Sequence, residues 1–306
     1  MSMFAGIDWG GAHHQLAIVD DVGDVKMNQR FAHTSDGVDE LLAAIDELGS
    51  ATPVAIERSE GILVEALQLA GHQVFPVSPR VSARARERYQ AAARKDDRFD
   101  AFVLADTLGH EDGRWRPLAI PSPTLAELRV LVRDRRRILE TQRGVESQLR
   151  SALEAYHPAA AKLFSSVDRS ITLAFVRDYP TPETAQRICE ARMQRFLDRH
   201  GDTGRVPAEV LVDRLRTHLL TATAGSVEGH RFGALALVDQ LDLLNRQLKA
   251  FDTRIAEVFA AHPDGAIFAS FPAGPVIAAS LSPRSAKTAT ACRPSRSCLP
   301  KPVSRP

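Results

Sequence analysis

Residues 3–32 read MFAGIDWGGAHHQLAIVDDVGDVKMNQRFA, and this stretch decides the fold. Its first apolar run, residues 3–8, predicts a buried strand that ends at a Trp-Gly-Gly turn. Residues 14–20 and 25–32 predict two more strands, joined by a short turn into a three-stranded meander. Beyond the meander, helical spacing alternates with short apolar runs as far as a helix that opens near Pro79. This alternation predicts a mixed α/β sheet.

The chain has 306 residues, of which 44% are hydrophobic and 25% are charged. This is enough for one large domain or two ordinary domains with packed cores. No run of 18 apolar residues occurs, which excludes a transmembrane helix, and the N-terminus lacks a secretory signal pattern. The three cysteines form no CxxC pair and fit a reducing cytoplasm. We therefore predict a cytoplasmic protein without a membrane partner.

A long helical pattern follows the α/β region. Between Ser122 and Pro158, apolar residues recur in steps of three, four or seven. This predicts one helix of about 34 residues, which is typical of a coiled-coil arm or a helical hairpin. Its expected partner is residues 234–261, and residues 183–200 and 207–224 are also helix-like. The predicted domains are an α/β domain, the long helix, a helical region and a tail, over residues 1–118, 119–158, 159–281 and 282–306.

The tail differs in composition from the rest of the chain. Residues 282–306 contain six basic residues, five prolines and no acidic residue, and without them the net charge changes from +1 to −5. So little apolar surface cannot offset the entropy of ordering the segment. We expect the tail to be disordered and foreign to the domain before it, as an out-of-frame translation would be.

Four carboxylates stand out as candidates for chemistry. Asp8 and Glu57 each end an apolar strand, where an acid is costly to bury unless it is paired or binds a cation. Asp97 and Asp100 are three residues apart, which places them on one face if their segment is helical. Oxygen ligands of this kind suit Mg²⁺, and two such ions can assist phosphodiester displacement. Taken singly, each acid is more often a turn, cap or solvated surface residue, whereas the four together leave both interpretations open.

Three segments together resemble a known family. GIDWGGAHHQLAIVD, AIERSEGILVEALQLAGHQVFPVSP and ARKDDRFDAFVLAD are similar to the DEDD-type transposases of the insertion sequence 110 family, relatives of the Piv site-specific invertases. Their order and spacing match over residues 3–106. The resemblance implies a RuvC-like, RNase H-type domain that acts on DNA. It also implies that Asp8, Glu57, Asp97 and Asp100 are the catalytic residues and bind Mg²⁺.

The resemblance extends further but stops within the chain. The long helix is similar to the family's coiled-coil arm, and residues from about 235 are similar to the start of its C-terminal transposase domain. The similarity ends at Leu281, and no serine after it has the Ser-Gly context of the family's catalytic serine. Full transposition is therefore not expected. The family also implies a homo-oligomer and a structured guide RNA as a partner.

Basic residues cluster around the third segment. Phosphate backbones require positive charge near a nuclease centre, so we predict DNA binding by Arg80, Arg84, Arg86, Arg88, Arg94, Lys95 and Arg98. A second group of arginines on the long helix has two open interpretations, phosphate binding and ordinary ion pairing with neighbouring acids. We expect His13 and His14 to form a surface pair and Cys189 to lie in the core.

Two other functions remain open from the sequence. A sugar-kinase or actin-like ATPase also begins with a Gly-Ile-Asp strand, but residues 9–12 offer no Ser, Thr or Lys to bind phosphate. Nucleotide binding would favour this function. The second is a non-catalytic remnant of a transposase that binds nucleic acid or dimerises. A recombination assay distinguishes the remnant from an active enzyme.

Overall fold

A computed structural model describes residues 2–49, 51–89, 96–111, 114–201, 206–218, 220, 222–263 and 265. The expectations for Arg94, Lys95 and residues 282–306 fall outside the described residues. The chain divides into two compact units, Met1–Pro121 (unit 1) and Ser122–Pro306 (unit 2). The finer division into four domains stays a prediction.

Unit 1 is the predicted mixed α/β structure. Its elements, in chain order, are β1 (Met3–Trp9), β2 (His13–Asp20), β3 (Val25–Ala32), α1 (Ser35–Asp46), β4 (Pro53–Ile56), α2 (Ile62–Leu69), β5 (Gln73–Pro76), α3 (Pro79–Glu87) and α4 (Asp97–His110). The five strands form one sheet in the order β3-β2-β1-β4-β5. The meander pairs antiparallel, whereas β1, β4 and β5 run parallel.

Each face of the sheet buries its own hydrophobic core. Ile7 and Leu16 point to the same face as the buried side chains of α1 and α2, such as Leu41 and Leu67. Side chains from the opposite face, among them Phe4, pack against α4. Successive strand residues alternate between these two faces. The position of a residue along its strand therefore decides which core it joins.

Unit 2 is helical, with α5 (Pro123–Tyr156), α6 (Pro158–Leu163), α7 (Ser170–Asp178), α8 (Pro182–Gln186), α9 (Glu190–Arg199), α10 (Ala208–Thr217) and α11 (Ala224–Ala260). The predicted long helix is present, and Ser122 caps it by accepting a hydrogen bond from the Leu125 N–H. It packs along α11, with a hydrogen bond from Gln142 Nε2 to Asn245 Oδ1 of 2.6 Å.

Three expectations for unit 2 are corrected. The helix expected over residues 207–224 ends at Thr217. The last helix begins at Ala224 rather than at residue 234, because burial of Val227 outweighs the low helix propensity of the glycines around it. Cys189 is exposed at the N-terminus of α9 instead of lying in the core. The chain leaves helical geometry between α8 and α9, so the apolar spacing read around Cys189 does not continue through it. Within the described residues, no helix is both long and apolar enough to cross a membrane.

Candidate metal centre

Strand register places Asp8 and Glu57 on the same face of the sheet. Gly6 pairs with Ala55 across the parallel strands β1 and β4, and Ile7 pairs with Ile56. Asp8 and Glu57 each come directly after this last pair, so alternation turns both toward the face that packs against α4. The two acids therefore meet at the carboxyl ends of adjacent parallel strands.

The other two acids come from the first turn of α4. Asp96 caps this helix by accepting a hydrogen bond from the Arg98 N–H, and Asp97 and Asp100 follow it. The Asp100 side chain is only 8% exposed, whereas that of Asp97 is 52% exposed. Asp100 therefore lies against the sheet, and Asp97 lies at the rim of the site.

Gly6 allows α4 to come this close to the sheet. A Cβ atom at Gly6 would lie 2.2 Å from the Ala101 carbonyl oxygen and 2.3 Å from the Ala105 nitrogen. Both are backbone atoms of α4, so they cannot rotate away. The absence of a side chain at this one position thus sets the distance between Asp100 and the strand acids.

The electrostatics of Asp8 indicate that the other three acids lie near it. The pKa of Asp8 is raised to about 6, first by burial and then by the negative charges of Asp100, Asp97 and Glu57. The positive charge of Arg86 acts in the opposite direction. Among the described residues, the negative charges that act on Asp8 therefore outnumber the positive ones, and a divalent cation would relieve that repulsion.

Helix α3 supplies the second layer of the site. The Ser82 hydroxyl donates to Glu57 Oε1 at 2.5 Å. Arg86 lies one turn further along, with its Nε 2.9 Å from Asp100 Oδ1 and its Nη2 3.8 Å from Glu57 Oε1. The Nε–H is buried without an aligned acceptor among the described residues, so its contact with Asp100 is an ion pair and not a directed hydrogen bond.

A polar cleft borders the rim of the site. It is lined by Gln15, Arg30, Asp96, Asp97 and Arg98. An Arg30 nitrogen lies 3.9 Å from an Asp97 carboxylate oxygen, which is a loose ion pair. Charges of both signs therefore share the cleft, and these five residues carry no excess of positive charge that would mark an anion site.

The predicted basic residues divide into two kinds. Arg80, Arg84, Arg88 and Arg98 are exposed, as a phosphate-binding surface requires, and their DNA binding stays a prediction. Arg86 is half-buried and engages the acids themselves. On the long helix, several arginines pair with acids of unit 2, which favours ordinary ion pairing: Arg133, Arg135, Arg136, Arg137 and Arg150.

The opposite face of the sheet holds a different cluster. His14 is fully buried and not on the surface as expected, because its strand position turns it toward the core beside Trp9. Its Nε2 lies 2.8 Å from His33 Nδ1. Burial, together with the neighbouring histidines, lowers the pKa of His14 to about 4. Arg58 covers the Trp9 ring, with its guanidinium carbon 3.4 Å from the ring centre.

The four acids suit a hard divalent cation in their chemistry, because all of them offer carboxylate oxygens. Among the described residues, however, no three His, Cys, Asp or Glu side chains are gathered closely enough to enclose a metal ion as they stand. The sequence pattern identified the acids but not Ser82, Arg86 or Gly6 as their partners.

Comparison of the sequence with known proteins identifies the class of protein to which the chain belongs. The transposase family model of insertion sequence IS110 matches residues 5–158. A putative mini-circle transposase for IS117 from Streptomyces coelicolor is 34% identical over 294 residues, which is 91% of this chain and 70% of that protein. These matches define an insertion-sequence transposase. The chain belongs to the IS110 transposase family.

The alignments with two other relatives cover smaller shares of those proteins. A putative transposase, y4uE, from Sinorhizobium fredii is 31% identical over 64% of this chain and 56% of that protein. A 42 kDa protein of insertion element IS900 from Mycobacterium paratuberculosis is 27% identical over 90% and 69%. Among solved structures, RuvC from T. thermophilus in complex with a Holliday junction substrate matches 39% of this chain and all of that chain. Its TM-score is 0.30 at 18% identity, which is too slight a likeness to support a conclusion.

Proposed function

We propose that unit 1 is a metal-dependent, RNase H-type domain that acts on DNA strands for an IS110-family transposase. The observation that carries the proposal is the convergence of Asp8, Glu57, Asp97 and Asp100 on one face of the sheet, together with the raised pKa of Asp8. The charges of the other three acids act on Asp8, which weighs against explaining each acid as an isolated turn, cap or surface residue.

The proposed ligands are those four carboxylates, and Mg²⁺ is the proposed ion. When bound, it would polarise a scissile phosphate and stabilise the leaving oxygen. Asp8 and Asp100 fix the inner side of the site, because the strand and the packed helix hold them. Ser82 orients Glu57 through its short hydrogen bond. Asp97 lies at the exposed rim, where its negative charge would repel a DNA phosphate. A bound cation would neutralise that charge and allow the DNA backbone to approach.

The proposed DNA path runs over the exposed arginines of α3 and the start of α4, Arg80, Arg84, Arg88 and Arg98. Each phosphate contact that such residues make releases counterions, so DNA affinity should fall as salt is raised. A guide RNA and a homo-oligomer remain proposals that follow from family membership alone.

The test is a metal titration of the full chain. After removal of metal with EDTA, we expect Mg²⁺ or Mn²⁺ to raise the melting temperature of the wild type, because binding to the folded state stabilises it. Asp8→Asn and Asp100→Asn should lose this response. Asp39→Asn, an exposed carboxylate on α1, is the matched control and should retain it. An unchanged metal response in both site variants would overturn the proposal.

A second arm of the test separates the possible activities. Labelled duplex DNA and ATP are each added to the metal-loaded chain. We expect salt-sensitive DNA binding and no stabilisation by ATP. Metal and DNA binding without strand cleavage would identify a non-catalytic member of the family, whereas stabilisation by ATP alone would favour the actin-like or sugar-kinase-like alternative.

A further inference from the structure

Arg86 occupies a place that the proposed metal ion would need. Its guanidinium group contacts two of the four acids, Asp100 at 2.9 Å and Glu57 at 3.8 Å. We propose that Arg86 is an internal counter-cation that holds the acid cluster together without metal and is displaced when a divalent cation binds. This inference rests on the proposed function of the acids as metal ligands.

The fold, rather than a chance side-chain conformation, brings Arg86 to the acids. Ser82, Arg86 and Tyr89 follow one another at intervals of four and three, so they share one face of α3 and its last turn. Ser82 contacts Glu57. Tyr89 donates its hydroxyl hydrogen to Asp106 of α4 and packs edge-on against Phe102, with ring centres 5.4 Å apart. Arg86 lies between these two attachments.

Charge explains why both cations cannot stay. A metal ion held by Glu57 and Asp100 would use the carboxylates that the Arg86 guanidinium group now contacts. Two cations so close repel each other strongly in a partly buried site. The Arg86 side chain is 39% exposed, so it has a route toward solvent. Released in that direction, it becomes available to a phosphate group of bound DNA.

The geometry of the Arg86–Asp100 contact is typical of a replaceable counter-ion and not of a permanent structural ion pair. Among the described residues, the buried Arg86 Nε–H has no aligned hydrogen-bond acceptor, although Nε lies 2.9 Å from Asp100 Oδ1. Structural arginine–carboxylate pairs are typically bidentate with two aligned bonds. The energetic cost of losing this contact is therefore small compared with the gain from a divalent ion.

The experiment measures metal affinity directly in the full chain. We expect Arg86→Gln to bind Mn²⁺ more tightly than the wild type, on the order of tenfold, because the competing charge is gone. The same variant should be less stable than the wild type in EDTA, since Glu57 and Asp100 then repel each other without compensation. Isothermal titration and thermal melting give the two readouts.

Two controls make the result specific. Arg86→Lys keeps the charge and should return metal affinity toward that of the wild type. Arg114→Gln removes an exposed cation of unit 1 that pairs with Glu111 and should change neither readout. If Arg86→Gln is unfolded in EDTA, Mn²⁺ should restore cooperative unfolding, and failure to do so would overturn the proposal.

The outcomes separate this inference from the proposed function. A wild type that binds no metal refutes the metal site itself. A wild type that binds metal, with Arg86→Gln binding equally or more weakly, refutes only the counter-cation role and makes Arg86 a positioning residue for its acid partners.

Discussion

Asp8 and His14 are one register step apart on neighbouring strands, yet they lie on opposite faces of the sheet. Asp8 pairs with Gln15, and Trp9 pairs with His14. His14 packs beside the Trp9 ring, and its Nε2 lies within hydrogen-bond distance of His33 Nδ1. Its buried Nδ1 has no hydrogen-bond partner among the described residues. Asp8 faces three further carboxylates and one guanidinium group. This difference in charge between the two faces is the reason for proposing that a metal ion binds on the acid face.

The largest expected effect on stability comes from disturbing the packing of α4 against the face of the sheet that carries Asp8. Gly6→Ala would place a methyl group against the α4 backbone, so the helix must shift or the strand must bend. Overpacking of this kind costs about 3 kcal/mol. We expect a large loss of stability in urea unfolding and loss of the metal-dependent rise in melting temperature.

Gly11→Ala is the matched control for this substitution. Gly11 lies in the turn between β1 and β2, and no described atom is within 4 Å of the place that a Cβ atom would take there. This variant should unfold as the wild type does. A Gly6→Ala variant that keeps both wild-type stability and the metal response would mean that close approach of α4 does not build the site.

The histidine face can be tested through pH. The pKa of His14 is lowered from 6.5 to about 4 in the folded chain. Between these values the unfolded state binds a proton that the folded state does not, so stability should fall as pH decreases from 6.5 to 4. His14→Phe keeps a ring beside Trp9 and should flatten this loss. Melting temperature across that pH range is the measurement, and an unaltered profile in the variant would contradict the assignment.

The acid face should respond in the opposite direction. The pKa of Asp8 is raised from 3.8 to about 6, so the folded state keeps its proton longer and stability should fall as pH rises from 4 to 6. Asp8→Asn removes this penalty. In EDTA the variant should melt higher than the wild type at pH 7, by a few degrees, with the difference vanishing near pH 4.

In the wild type, the contributions of His14 and Asp8 to the pH dependence of stability oppose each other. Their titration ranges overlap, so each variant should tilt the pH profile of stability away from the wild type in its own direction. A tilt of the same sign in His14→Phe and Asp8→Asn would show that the two faces are not independent.

The sequence predicted the mixed α/β structure because apolar runs and helical spacing are local patterns. The same patterns brought the four acids to notice, and their role as metal ligands stays a prediction. Apolar runs fix strands, and residues 97 and 100 are on one helix face by spacing alone. The face that Asp8 occupies could also be read from alternation. By contrast, the buried position of His14 was missed although residues 14–20 were predicted as a strand. A polar residue at the start of a strand is typical of the surface, and the sequence does not show that both faces of this strand are covered.

The role of Arg86 was not readable from charge. Seven basic residues near the motif looked alike in the sequence, and a run of arginines does not indicate which one faces inward. The information was present in the spacing of Ser82, Arg86 and Tyr89, but it becomes useful only once α4 is known to provide Asp106 and the phenylalanine rings that fix α3 in rotation.

The smallest expected effect comes from removing the hydrogen bond that orients Glu57. Ser82→Ala removes the hydroxyl that donates to Glu57 Oε1 without adding bulk. One hydrogen bond to a charged group contributes about 1.5 kcal/mol or more when its loss leaves the acceptor unsatisfied. Glu57 is half-buried, so water can replace the lost donor. We therefore expect the free energy of unfolding to fall by about 1 kcal/mol.

Metal affinity should fall only a few-fold in Ser82→Ala, because Glu57 keeps its charge and loses only its fixed orientation. Ser82→Thr, which retains the hydroxyl, should recover most of that affinity if its added methyl group is tolerated beside α4. Loss of affinity as large as that of Asp8→Asn would make Ser82 part of the site itself, whereas no change would show that Glu57 is oriented by Arg86 alone.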